Sequence, residues 1–172
     1  MASGYWENAD PVNMIILLLH PIAALAVIVW MVRQHRWRQR GRLLKGEERQ
    51  IAVQSHEKNG ERIYIIAWLL VIGGFLANII SYFRSSGHLS IDAILPTGAG
   101  GLHAGGGLIG MSLLTILWRK GRATKKLRDT GEPWASEKQR HGRASDVIMI
   151  LIAIHAFLGF LWLIQLFTPP SF

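Results

Sequence analysis

Cysteine is absent from this 172-residue chain. That excludes a disulfide framework, a thiolate-ligated iron–sulfur cluster, a cysteine-based zinc site and a covalently attached c-type haem, and leaves histidine as the strong metal ligand. Charge is also scarce. Only 17% of residues are charged against 50% hydrophobic, with mean hydropathy +0.24, too apolar for an ordinary soluble domain. A basic leader is missing: Glu7 and Asp10 precede the first apolar run, and no small-residue cleavage pattern follows it. A retained anchor is therefore expected rather than a cleaved signal peptide. The apolar runs also lack a carboxylate pair, because Asp92 and Asp146 fall at their edges and Glu57 and Glu61 can stay hydrated. This argues against an ion-transport pathway.

What the chain does have is four apolar runs, near 11–32, 63–83, 93–118 and 146–167. Each approaches the roughly 20 residues that carry a helix across about 30 Å of hydrocarbon. Buried helices of a soluble bundle would each need a polar face, and the run Ile15-Ile16-Leu17-Leu18-Leu19 has none. The expected fold is all-α, an integral membrane four-helix bundle forming a single domain over 1–172. Gly41, Gly46, Gly121, Gly131 and Pro133 mark turns in two polar loops, with no second folded domain. Although Asn59-Gly60 could end a helix, the flanking composition suits one starting at about Ile51, and the analogous extension before the fourth run starts near Ser136.

Nine of the nineteen basic residues lie between the first two runs and nine between the last two, leaving only Arg84 for the opposite face. The positive-inside rule then puts both termini outside and both basic loops in the cytoplasm or stroma, in a bacterial inner membrane or a thylakoid. It accounts for the arginines of 33–42 without nucleic acid, so no nucleic-acid partner is expected. Trp30, Trp118, Trp162, Tyr64, Tyr82 and Phe83 sit near run ends, where aromatic rings settle at headgroup level.

Seven histidines occur. His35 and His88 fall in a basic loop and a short outer connection, where a solvated role suffices. His20, His103 and His155 lie inside runs, where an ionisable side chain is costly and marks a candidate site. At 1.5 Å per residue they lie roughly 15–20, 22 and 15 Å from the cytoplasmic edge. His56 and His141 precede the second and fourth runs and form a second level. Imidazole pairs from separate helices at two depths are what bis-histidine haem requires, one ring on each side of the iron. Without a Cys-x-x-Cys-His segment, non-covalent b-type haem is the natural form. One haem would join His20 to His103 and the other His56 to His141. His155, fourteen residues after His141 on nearly the same helical face, is an alternative outer ligand, and a haem-free outer level stays open. Arg49, Arg62, Arg140 and Arg143 cluster near the inner level, where guanidiniums can hold two propionates. Glycines at Gly98, Gly100, Gly101, Gly105, Gly106, Gly107 and Gly110, and at Gly73-Gly74, suit close helix packing or room for a flat cofactor.

With His20-Pro21, His56 followed by Gly60, His103 before a glycine-rich face, and His141 at the start of the fourth run, the chain resembles a four-helix membrane family of unknown function. That family is known mainly from cyanobacteria and plastids, and its architecture looks like the cytochrome b561 and ferric-reductase transmembrane cores. The resemblance spans His20 to Leu166 and implies two non-covalent b-type haems on those four histidines, without independent enzymatic activity. An apolar or aromatic residue would be expected where His155 stands. The expected function is a b-type dihaem electron-transfer subunit of a respiratory or photosynthetic membrane complex, with lipid and quinone as further candidate partners. The lack of a redox domain, with the 167–172 tail so short, favours such partnership. The alternative is a haem-free structural or assembly subunit.

Overall fold

A computed structural model describes residues 10–41 and 43–167. Glu7, Arg42 of the first basic loop and the 168–172 tail lie outside the described residues. The chain is all-helical, with no strand among the described residues. Helix α1 covers Pro11–His35, the short α2 Trp37–Arg40, α3 Gly46–Ser86, α4 Gly98–Asp129 and α5 Ala135–Phe167. Helices α1, α3, α4 and α5 are long and apolar enough to cross a membrane, and the protein is a multi-pass membrane protein.

Side-chain exposure shows why water is the wrong solvent for this fold. Along α1, Val12, Ile15, Leu19, Ile22, Leu25, Val29 and Val32 recur every three or four residues and are all exposed. The same outward stripe occurs on α3 (Ile65, Leu69, Ile72, Leu76, Ile80, Phe83) and on α5 (Val147, Ile150, Ile154, Phe157, Leu161, Ile164). A soluble helix turns such a stripe inward, so these faces suit hydrocarbon.

The helices run further than the apolar runs. Helix α3 continues unbroken through Asn59-Gly60 and Gly73-Gly74 and starts at Gly46, with Glu47 and Glu48 in its first turn, where the helix dipole favours acids. Helix α4 begins only at Gly98, whose φ of 63° is left-handed and sets the break before the right-handed helix. A 3-10 turn at Ile91–Ala93, capped by the Ser90 hydroxyl, fills the approach instead. At the other end, Gly131 takes φ 75° and Glu132 N–H donates to the Leu127 carbonyl at 2.9 Å, closing α4 with a left-handed cap.

The described residues form two compact units, one comprising 10–25, Leu69–Leu108 and 153–167, the other Ala26–Trp68 and Ile109–Ile152. In the first, Ala93 and Ser81 are fully buried, and the Asn78 amide donates to the Ala93 carbonyl at 2.6 Å, pinning the 3-10 turn to α3. Arg84 pairs with Asp10 across the ends of α3 and α1. The guanidinium hydrogen bond holds the Asp10 carboxyl below the usual carboxylate range. Arg84→Gln is expected to raise it toward that range in a carbon-13 NMR titration of labelled Asp10, the Val12 N–H bond to the same carboxyl remaining. Because the folded value is the depressed one, the pair's stabilisation is present above the ordinary carboxylate range and is lost as pH falls through the lowered value.

In the second unit, Val27, Ile63, Ala67, Met111, Leu114 and Ile148 form the buried centre. Glu57 accepts from Arg128 at 2.7 Å and pairs with Lys125 at 3.4 Å, joining α3 to α4. His35 Nδ1 meets the Ser145 hydroxyl at 3.0 Å and its Nε2 lies 3.7 Å from Asp146. Rather than being merely solvated, it ties α1 to α5.

Candidate functional site

In the first unit, His20 of α1 faces His103 of α4 with ring centres 6.2 Å apart and planes at 83°. His155 of α5 lies flat on His103, at 4.1 Å and 13°. The His155 carbonyl lies 3.3 Å from His103 Nδ1. A carbonyl can only accept, so Nδ1 carries the proton and Nε2 keeps its lone pair, the tautomer that a metal ligand needs. His20 Nδ1 and His155 Nδ1 are buried with no hydrogen-bond partner.

The glycines explain how these rings are seated. A Cβ on Gly74 would stand 2.9 Å from His20 Cε1, and one on Gly159 2.7 Å from His103 Cε1. A Cβ on Gly106 or Gly107 would come within 3.3 Å of the His155 ring. Each imidazole thus lies against bare backbone of a neighbouring helix. Gly107, one of the glycines read as suiting close packing or a flat cofactor, receives His155, while Gly110 and Gly73 face open space. Trp162, expected as an interfacial anchor, packs over Gly100 and lies 5.9 Å from the His103 ring.

The second unit repeats the pairing with different supports. His56 of α3 and His141 of α5 have ring centres 6.3 Å apart and perpendicular planes. His141 Nδ1 donates to the Leu117 carbonyl at 3.2 Å, so its Nε2 also keeps the lone pair, and its ring lies against Gly121. The Gln34 amide donates to the His56 carbonyl at 2.6 Å. Trp37 stacks on His56 at 5.4 Å and itself lies against Gly41, which gives the short α2 a purpose. His56 Nδ1 is buried without a partner. A cavity of about 970 Å³ opens here, lined by both histidines, Trp37, Tyr64, Trp118 and Ile148 among others. That lies at the upper end of the roughly 300–1,000 Å³ typical of cofactor and ligand sites.

Separation decides what the pairs can hold. Metal–imidazole bonds of about 2.0–2.1 Å, with about 1.1 Å from ring nitrogen to ring centre, place two imidazoles on opposite sides of one metal about 6.3 Å apart. The observed 6.2 and 6.3 Å match that span. The flat His103–His155 stack leaves no room for an ion between its rings. No group of three or more His, Asp or Glu side chains comes together as a metal cage among the described residues. Two nitrogens fall short of the four donors of a bare zinc site, so either pair could hold a metal only with donors from outside this chain.

Comparison with known proteins adds nothing to this geometry. The chain matches no family model, no curated protein and no solved structure. Of the four arginines expected to hold propionates, Arg49 lines the cavity. Arg62, Arg140 and Arg143, exposed as Arg49 and Arg122 are, are not among the lining residues, and Arg140 is engaged by Glu137 at 2.7 Å. Sequence reasoning passed over Arg122, which lines the cavity and lies over the Trp118 ring at 5.0 Å. The signal was the four-residue step from Trp118 to Arg122 on one helix. His88 remains a local contact, its Nδ1 donating to the Ser86 carbonyl at 3.0 Å.

Proposed function

We propose that this protein is a b-type dihaem membrane electron-transfer subunit, passing electrons between quinone or another redox partner and a component of a larger respiratory or photosynthetic complex. The carrying observation is the pair of interhelical imidazole couples whose centres stand 6.2 and 6.3 Å apart. His20 and His103 would hold one haem, His56 and His141 the other. Bound haem supplies reversible one-electron chemistry at iron, with a potential set by axial ligands, burial and nearby charge.

The chain's own contribution is to bind and orient. Backbone carbonyls of His155 and Leu117 hold one imidazole of each pair in the tautomer that offers Nε2. Glycine seats on α3, α4 and α5 set the planes of His20, His141 and His103. Two haems on membrane-crossing helices suit one-electron passage through a bilayer. The basic-loop asymmetry supports termini on the outer side of a bacterial inner membrane or thylakoid.

The test is an oxidised-minus-reduced optical spectrum of the purified native complex with pyridine-haem quantification. Two b-type haems per chain are expected. A cofactor-replete preparation with no b-haem band would reject the proposal in favour of a haem-free assembly subunit.

A further inference from the structure

We infer that the cavity beside His56 and His141 contains a carboxylate subsite made by Arg122, Arg49 and the indole N–H of Trp118, and that its occupants are the propionates of the haem held there; this rests on the dihaem reading above. Five basic side chains line the cavity: Arg49, Arg122, Lys125, Arg128 and Lys138. Glu57 already neutralises Arg128 and Lys125, at 2.7 and 3.4 Å, and Asp129 also pairs with Arg128 at 2.8 Å. Lys138 lies over the Trp134 ring. Arg49 and Arg122 have no carboxylate partner among the described residues.

Arg122 is also held in place. Its guanidinium lies 5.0 Å over Trp118, Trp118 stacks on Tyr64 at 4.7 Å and 6°, and the Tyr64 hydroxyl lies 3.3 Å from the Thr115 hydroxyl. A guanidinium fixed over an indole loses less freedom when it binds a carboxylate in bidentate fashion than a free one would. The Trp118 Nε1 is buried and donates to nothing. An indole N–H is a donor only, so its complement must be an acceptor. Arg49, Arg122 and Trp118, whose N–H is orphaned, line the same cavity, Glu61 being the one lining carboxylate besides Glu57; the two guanidiniums and the N–H suit an acceptor-only anion, and the Tyr64–Trp118 aromatic pair suits a flat, apolar body attached to it. A propionate-bearing porphyrin has both properties. An anionic lipid headgroup shares the anion chemistry alone.

The test titrates the full chain, stripped of cofactor in detergent micelles, with ferric haem and with its dimethyl ester, whose propionates are neutral. Wild type is expected to take two equivalents of haem and to bind the ester about 10–100-fold more weakly at one of them, the scale of one or two charge-assisted hydrogen bonds. The Arg49→Gln/Arg122→Gln double variant should lose that factor for haem while its ester affinity stays at the wild-type value, which also reports an intact fold. Ester binding as tight as haem in wild type, or haem binding unchanged in the variant, would overturn the subsite and leave the dihaem reading standing. Ester binding weakened in the variant as much as haem binding would assign the guanidiniums to a lipid headgroup or to packing, and would also overturn it. If wild type takes up neither porphyrin, the dihaem reading falls and the subsite with it.

Discussion

On the proposed dihaem reading, His103→Ala and His20→Ala are each expected to remove the same one of two haem equivalents, and His56→Ala and His141→Ala the other, whereas His155→Ala retains both. An axial imidazole is a bond to the metal, and changing even a group one step behind a ligand costs about 10–100-fold in affinity. Loss of a ligand should therefore exceed about a hundredfold and empty the site at micromolar protein. His155 differs because of how it sits. Its ring lies flat against His103 at 4.1 Å, a contact of the order of 0.5–1.5 kcal/mol. The group it offers His103 Nδ1 is a backbone carbonyl that alanine keeps. Pyridine-haem quantification of the five purified variants reads the result. Haem loss in His155→Ala with retention in His20→Ala would show that the ligand set has been assigned to the wrong ring.

The second large effect separates two adjacent glycines. On the same reading, Gly74→Ala is expected to weaken the haem held by His20 and His103 by about 5- to 150-fold, while Gly73→Ala leaves it unchanged. A methyl at Gly74 would stand 2.9 Å from His20 Cε1 and 3.0 Å from Nδ1, whereas one at Gly73 meets nothing within 4 Å. The His20 ring must move, and overpacking of this kind typically costs about 1–3 kcal/mol. Movement also tilts Nε2 away from the 6.2 Å span to His103. At Gly73 the same methyl lowers the entropy of the unfolded helix and stabilises α3 by about 0.5–1 kcal/mol. Gly159→Ala, with its Cβ 2.7 Å from His103 Cε1, should behave as Gly74→Ala does. Haem titration of the variants together with their thermal unfolding midpoints checks both halves. Equal haem affinity in Gly73→Ala and Gly74→Ala would mean that the seats do not position the ligands.

Much of the architecture is legible in residue order because the bilayer imposes a length and a polarity on it. Runs such as 11–32 could only be spanning helices, and His20 and His103 drew attention through the cost of placing imidazole in hydrocarbon. Helix ends were less legible. Composition put the start of α5 near Ser136, one residue from the observed Ala135, but put that of α3 at about Ile51, and the first turn from Gly46 carries no apolar signal to mark it. Trp118 and Trp162 read as interfacial anchors by position, yet they pack on Tyr64 and Gly100 because partner helices cover them.

Hydropathy and charge order alone determine the all-α class, the four spans and a short set of histidines, because these follow from chain composition over about twenty residues at a time. Which rings face one another across some 6 Å and which lie flat, as His155 does, depends on ring planes that neighbouring backbones dictate. So does the choice of Arg122 over Arg62, Arg140 and Arg143 at the cavity wall. Helices distant in sequence meet only in three dimensions, where the missing side chains of Gly74, Gly121 and Gly159 give each imidazole its seat.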